Sequence, residues 1–138
     1  MAEILGPPPD RRRRARLLAV CLVAAAIGFA SKRWGGPGRG VVVGQFEDFF
    51  GTIFLILAPR ILLLRAPLWK VAGPVLAIVV GIEISQAFHG ELLDRARSTW
   101  LGLRVLGTTF GWDDLLAYAL ATGAAVGIDR WAARASAR

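Results

Sequence analysis

The chain is poor in the residues that usually do chemistry. Among its 138 residues it has one cysteine, Cys21, and one histidine, His89. A lone cysteine excludes an intramolecular disulfide, and one Cys with one His cannot supply the ligands of a structural zinc site. Cys21 lies within an apolar run, where a thiol behaves as a small hydrophobe. The glycine-rich stretch Trp34 to Gly40 lacks a Gly-Lys-Ser/Thr ending, so it reads as a turn-rich connector and not as a phosphate cradle. There is no serine-histidine pairing, so no catalytic residue, cofactor or metal is assigned. Acids are scarce too, ten against seventeen Lys and Arg, for a net charge of +7. Such a surplus can mean nucleic acid. Here the charges lie between apolar runs and no aromatic-plus-basic module accompanies them, which argues against that partner.

Apolar residues are plentiful: 55% of the chain, with a mean hydropathy of +0.52. They collect in segments whose edges are marked by the five tryptophans, the pattern of a membrane protein with interfacial anchors. Residues 1–16, with Pro7 to Pro9 and the cluster Arg11 to Arg14 and Arg16, read as a disordered basic tail. Residues 17–132 form the membrane domain, and 133–138 a short basic tail. The first run, Leu17 to Ser31, is short for a layer that needs roughly 20 residues, but flanking Arg and Lys can snorkel. A basic stretch before a short apolar one is also the shape of a secretory signal, with Gly28 to Ala30 as a cleavage site. Lys32, Arg33 and Trp34 instead favour a retained anchor.

The second span runs from about Val41 to Ala58 and is broken at Pro59, with Ile61 to Leu64 continuing past a kink. The third, Leu68 to Phe88, carries Glu83 and Gln86 late in the run. Gly90 to Leu106 repeats Leu92, Leu93, Ala96, Trp100 and Leu103 at helical spacing but is too charged to cross lipid, so it is placed flat on the surface. The last span begins near Trp112 and ends near Trp131, with Asp113 and Asp114 in its first turn. The fold class expected is therefore all-α: an integral membrane four-helix bundle with a short amphipathic surface helix between spans three and four.

Four spans put both termini on one side. With that side cytoplasmic, eleven basic residues face inward (Arg11 to Arg14, Arg16, Arg60, Arg65, Lys70, Arg130, Arg134, Arg138). Six face outward (Lys32, Arg33, Arg39, Arg95, Arg97, Arg104), so the positive-inside rule favours this orientation in an inner membrane. Glu83 then lies about 20 Å from the inner end of its span. Lys32, Asp48, Glu83, Gln86, Arg97, Asp113, Asp114 and Tyr118 gather near the outer face. Charges within lipid are costly unless paired, so these acids should face the interior, with Arg97 and Arg104 as counter-charges. Ala119, Gly123 and Gly127 form a small-residue stripe for a packing helix or a second copy of the chain.

The run GIEISQAFH, followed by Arg97 and LGLRVLGTTFGWDDLLAY, resembles a family of small bacterial membrane proteins designated domain of unknown function 2809. The likeness rests on a GF-small-SK end to the first span (Gly28 to Lys32) and an E-I-x-Q motif (Glu83, Ile84, Gln86). An arginine (Arg97) and L-G-x-x-F-x-x-x-D-x-x-x-Y (Leu106, Gly107, Phe110, Asp114, Tyr118) complete it. It covers most of the chain from Ala15 to Trp131, and the arrangement also resembles the VanZ-like proteins, which implies a four-helix layout.

Three functions compete. The cluster either only pins the helices, or also holds a phospholipid headgroup or lipid-linked envelope precursor, with Arg97 on a phosphate and Glu83 and Asp114 positioning it. Alternatively, Glu83 with Asp113 or Asp114 serves a proton-coupled carrier or membrane enzyme. The absence of a nucleophile or metal-ligand pattern weighs against an enzyme.

Overall fold

The structure, a computed structural model, describes residues 11–107 and 109–136, without the side chain of Arg104. Among the described residues the regular structure is all helix, with no strand. In chain order the helices are α1 (Arg11–Ser31), α2 (Arg39–Leu62), α3 (Leu68–Gln86), α4 (Glu91–Arg97), α5 (Trp100–Leu106) and α6 (Trp112–Ser136). Three of these, α1, α2 and α3, are long and apolar enough to cross a membrane. The most apolar stretches of the three are only 28%, 22% and 17% buried, where a water-soluble bundle would hide most of its large apolar side chains. Leu22, Phe29, Leu62, Trp69 and Ile78 are all exposed, a surface that calls for lipid or another apolar cover.

The helix α6 has 25 residues but carries Asp113 and Asp114 at one end and Asp129, Arg130 and Arg134 towards the other. It packs against α1, α2 and α3; α2 in turn touches α1 and α3. The two helices α2 and α6 therefore form the middle of the assembly, with α1 and α3 on its flanks. Close packing here needs small side chains, which α6 supplies with Ala117, Ala121, Ala125 and Ala132. Ala121, Ala125 and Ala132 share one core with Leu17, Cys21 and Ala24 of α1 and Ile53, Ile56 and Leu57 of α2. The stripe Ala119, Gly123 and Gly127 points the other way and is exposed.

Several boundaries differ from those expected. Arg11 to Arg16, expected as a disordered tail, form the first turns of α1, because Arg13 and Arg16 find partners on α6. Residues 1–10 of that tail lie outside the described residues. At the other end, α6 runs on to Ser136, so most of the expected C-terminal tail is helix; residues 137–138 lie outside the description. Pro59 does not end α2, since the helix continues to Leu62.

The single surface helix is two short ones meeting at a corner. The hydroxyl of Thr99 accepts from the Gly102 amide at 3.0 Å and starts α5 afresh, a side-chain N-cap. Only glycine fits at 102: a Cβ there would stand 1.7 Å from the Ala96 carbonyl oxygen. After α5 the chain turns back at Gly107, whose φ of +60° and ψ of −172° lie in a region open to glycine alone. A Cβ would also come within 2.8 Å of the Gln86 side chain. Gly107→Ala is expected to destabilise the protein by about 1–3 kcal/mol, measured by unfolding in detergent, whereas an unchanged midpoint would show that the turn relaxes freely.

Candidate functional site

The ends of α1 and α3 and the starts of α2 and α6 lie at one pole of the molecule. Glu83, in the last turn but one of α3, is only 2% exposed. It accepts a hydrogen bond from the backbone amide of Gly111 at 2.7 Å and a longer one from the Tyr118 hydroxyl at 3.4 Å. One carboxylate thus holds α3 to both the start of α6 and the loop before it. The side chains of Asp113 and Asp114 fold back over Gly111, within 2.7 Å and 2.6 Å of where a Cβ would stand, so a larger residue there would displace the two carboxylates. Asp114 lies close to both Glu83 and Asp48, so α2, α3 and α6 each bring a carboxyl group to one place.

The start of α2 explains how an amide side chain joins them. Residues Val42–Phe46 form a single wider π-helical turn, a distortion that rotates the residues it contains relative to the rest of the helix. Gln45 lies on this turn and donates from Nε2 to Asp113 and, at 3.4 Å, to Asp114. Beside it, Phe46, Phe49 and Phe50 of α2 and Leu116, Ala117 and Leu120 of α6 line an apolar groove of about 330 Å³, with Gln45 and Asp113 as its polar residues.

Two members of the expected cluster are employed elsewhere. Lys32 makes an ion pair with Glu47, which ties the end of α1 to α2 near the surface. Arg97 was expected to counter Glu83 and Asp114. Its guanidinium instead donates to the carbonyl oxygens of Ser85 (2.6 Å) and Phe88 (3.0 Å), and to Asp94 at 3.4 Å. The physical reason is local: the Ser85 carbonyl at the end of α3 and the Phe88 carbonyl just past it lie within reach of a buried arginine from α4, a place where a helix C-terminus favours a cation. Gln86 packs against the Gly107 turn. Arg104, the other expected counter-charge, has its side chain outside the described residues.

A second polar centre sits at the opposite pole. Asp129, 4% exposed, accepts from Arg13 Nη2 at 2.8 and 2.9 Å and from Arg60 Nε at 3.1 Å. Arg60 also donates to the carbonyl oxygens of Leu63 and Ala66 at 2.7 and 2.6 Å, closing the turn after α2. A carboxylate on α6 thus clamps α1 and α2. The signal in the sequence was the one acid in the latter half of α6 and an arginine directly after Pro59.

Residues 38–122 fit the model of a family described as protein of unknown function DUF2809. The chain belongs to the DUF2809 family. No solved structure matches it. The region shared with DUF2809 contains Gln45, Asp48, Glu83, Gln86, Arg97, Asp113, Asp114 and Tyr118, the whole of the carboxylate pole. It leaves out Arg13 and Asp129 of the opposite clamp. The match bears on DUF2809 and does not extend to the VanZ-like proteins. Among the described residues no group of His, Cys, Asp and Glu is arranged to hold a metal ion.

Proposed function

We propose that this DUF2809 protein is a four-span protein of the bacterial inner membrane, with both termini cytoplasmic. Its outer carboxylate pole pins the helices and forms the mouth of a lipid-binding groove. The observation that carries the reading is the pairing of the Gln45–Asp113 contact with the apolar groove beside it. A polar mouth above a phenylalanine- and leucine-lined cleft fits an amphiphile, its tail against Phe46, Phe49 and Leu120 and its head on Asp113. In this reading α6 is the fourth span, its acids held at the ends or buried in the clamp, and its Leu116, Leu120 and Trp131 turned to lipid.

Asp113 is an acceptor, so the headgroup it suits offers N–H or O–H donors, as a phospholipid amine or the sugar of a lipid-linked precursor does. Phosphatidylethanolamine and phosphatidylcholine test this directly, because methylation removes the donors and little else. In native mass spectrometry of the full chain, the ethanolamine lipid should bind about tenfold more tightly, the worth of one charge-assisted hydrogen bond. The preference should vanish in Asp113→Asn combined with Gln45→Ala. Equal binding of the two lipids would leave the pole with a packing role only.

The approach of Asp48, Glu83 and Asp114 to one another favours a second reading, a proton-coupled carrier or enzyme. It requires a proton-dependent flux or turnover in reconstituted vesicles that Glu83→Gln abolishes. Identical behaviour of wild type and variant would dispose of it.

A further inference from the structure

The opposite pole holds a second groove that the clamp does not use. Between α3 and α6, a cavity of about 420 Å³ is lined by Trp69, Ala72, Gly73, Leu76, Val126 and Arg130. Apart from Thr122 its lining is apolar up to the Arg130 guanidinium. One turn further on, Arg134 lies beside Arg130, and the two border a recess that also contains Trp131. Neither arginine has an ion-pair partner among the described residues, because the nearby Asp129 is taken by Arg13 and Arg60. Trp69 is 70% exposed with Lys70 over its ring at 5.5 Å, and Trp131 is 54% exposed, so amphipathic rings flank the charged end as they do at a membrane interface.

We propose that this groove binds an anionic phospholipid, its phosphate on Arg130 and Arg134 and one acyl chain along Ala72, Gly73, Leu76 and Val126. The inference rests on the membrane reading above but on a separate site, at the other pole and with the opposite charge preference. Two points select this occupant. A pair of guanidinium groups with no carboxylate partner among the described residues matches a phosphate, which each can grip through two N–H donors. An apolar trough leading directly from them suits the chain that such a phosphate carries in a bilayer, and the cytoplasmic leaflet is the one rich in acidic lipid. Ala72 and Gly73 keep the trough open, since nothing lies within 4 Å of where a Cβ on Gly73 would stand.

The experiment is a lipid titration of the full chain in mild detergent, with phosphatidylglycerol and phosphatidylcholine as probes. The wild type should bind phosphatidylglycerol about tenfold more tightly, and Arg130→Gln with Arg134→Gln should bring the two lipids level. Arg11→Gln with Arg12→Gln removes the same charge elsewhere on the basic pole and should keep the preference. Gly73→Leu fills the trough with every charge intact and should weaken phosphatidylglycerol binding several-fold, which tests the site even if the double arginine variant does not fold. The proposal is overturned if the wild type binds both lipids alike, if the Arg11 and Arg12 control loses as much as the Arg130 and Arg134 variant, or if Gly73→Leu binds like wild type. The preference for phosphatidylethanolamine over phosphatidylcholine at the outer groove should survive in all these variants, so failure at one pole is distinguishable from failure at the other.

Discussion

Asp129→Ala is expected to destabilise the protein by about 3–5 kcal/mol, the cost of leaving a buried charge without its partner. The stranded group is Arg60, whose side chain is 5% exposed and is fixed by its bonds to Leu63 and Ala66. Arg13 is freer, at 18% exposure, and can turn outward once released. The loss therefore falls mainly on α2 and α6. Because the penalty comes from an orphaned guanidinium, Arg60→Met combined with Asp129→Leu should be less damaging than Asp129→Ala alone. Reversible unfolding in mixed micelles measures both. A single variant as stable as wild type, or a double variant with additive losses, would mean that the clamp is solvated and carries little.

Glu83→Leu should cost about 2–4 kcal/mol, since it strands the Gly111 amide and the Tyr118 hydroxyl in a buried place. Glu83→Gln should cost within about 1 kcal/mol, because the amide oxygen still accepts from Gly111 at the same position. The pair separates the roles of shape and charge. A large loss in Glu83→Gln would assign the stability to the negative charge itself, and a small loss in Glu83→Leu would deny that Glu83 pins α6 at all.

The helices were legible because their apolar runs and tryptophan borders are long-range patterns that survive local irregularity. So was the meeting of Asp48, Glu83, Asp114 and Tyr118 at one pole, which follows from threading antiparallel helices. What could not be read depends on local geometry. The π turn at Val42–Phe46 shifts register by a fraction of a turn, and no residue type announces it, so Gln45 stayed hidden. Arg97 looked like a counter-charge because its sequence neighbours give no hint that the carbonyls of Ser85 and Phe88 lie within its reach. The clamp was missed for a different reason. Arg13 and Arg60 were counted as solvated charges that set orientation, when one buried aspartate was enough to draw both into the packing. The corner at Thr99 hid beneath a helical periodicity that continues across it, and only the capping hydroxyl marks the break.

In the proposed topology the carboxylate pole and the arginine clamp face opposite sides of a bilayer. Single cysteines in a Cys21→Ser background, reacted in intact cells with a maleimide that cannot cross membranes, test it most directly. Gly35→Cys and Ser98→Cys, at the carboxylate pole, should label from outside, while Ala66→Cys and Ala135→Cys should label only after the cells are opened. Labelling of Ser98→Cys and Ala66→Cys from the same side would overturn this topology.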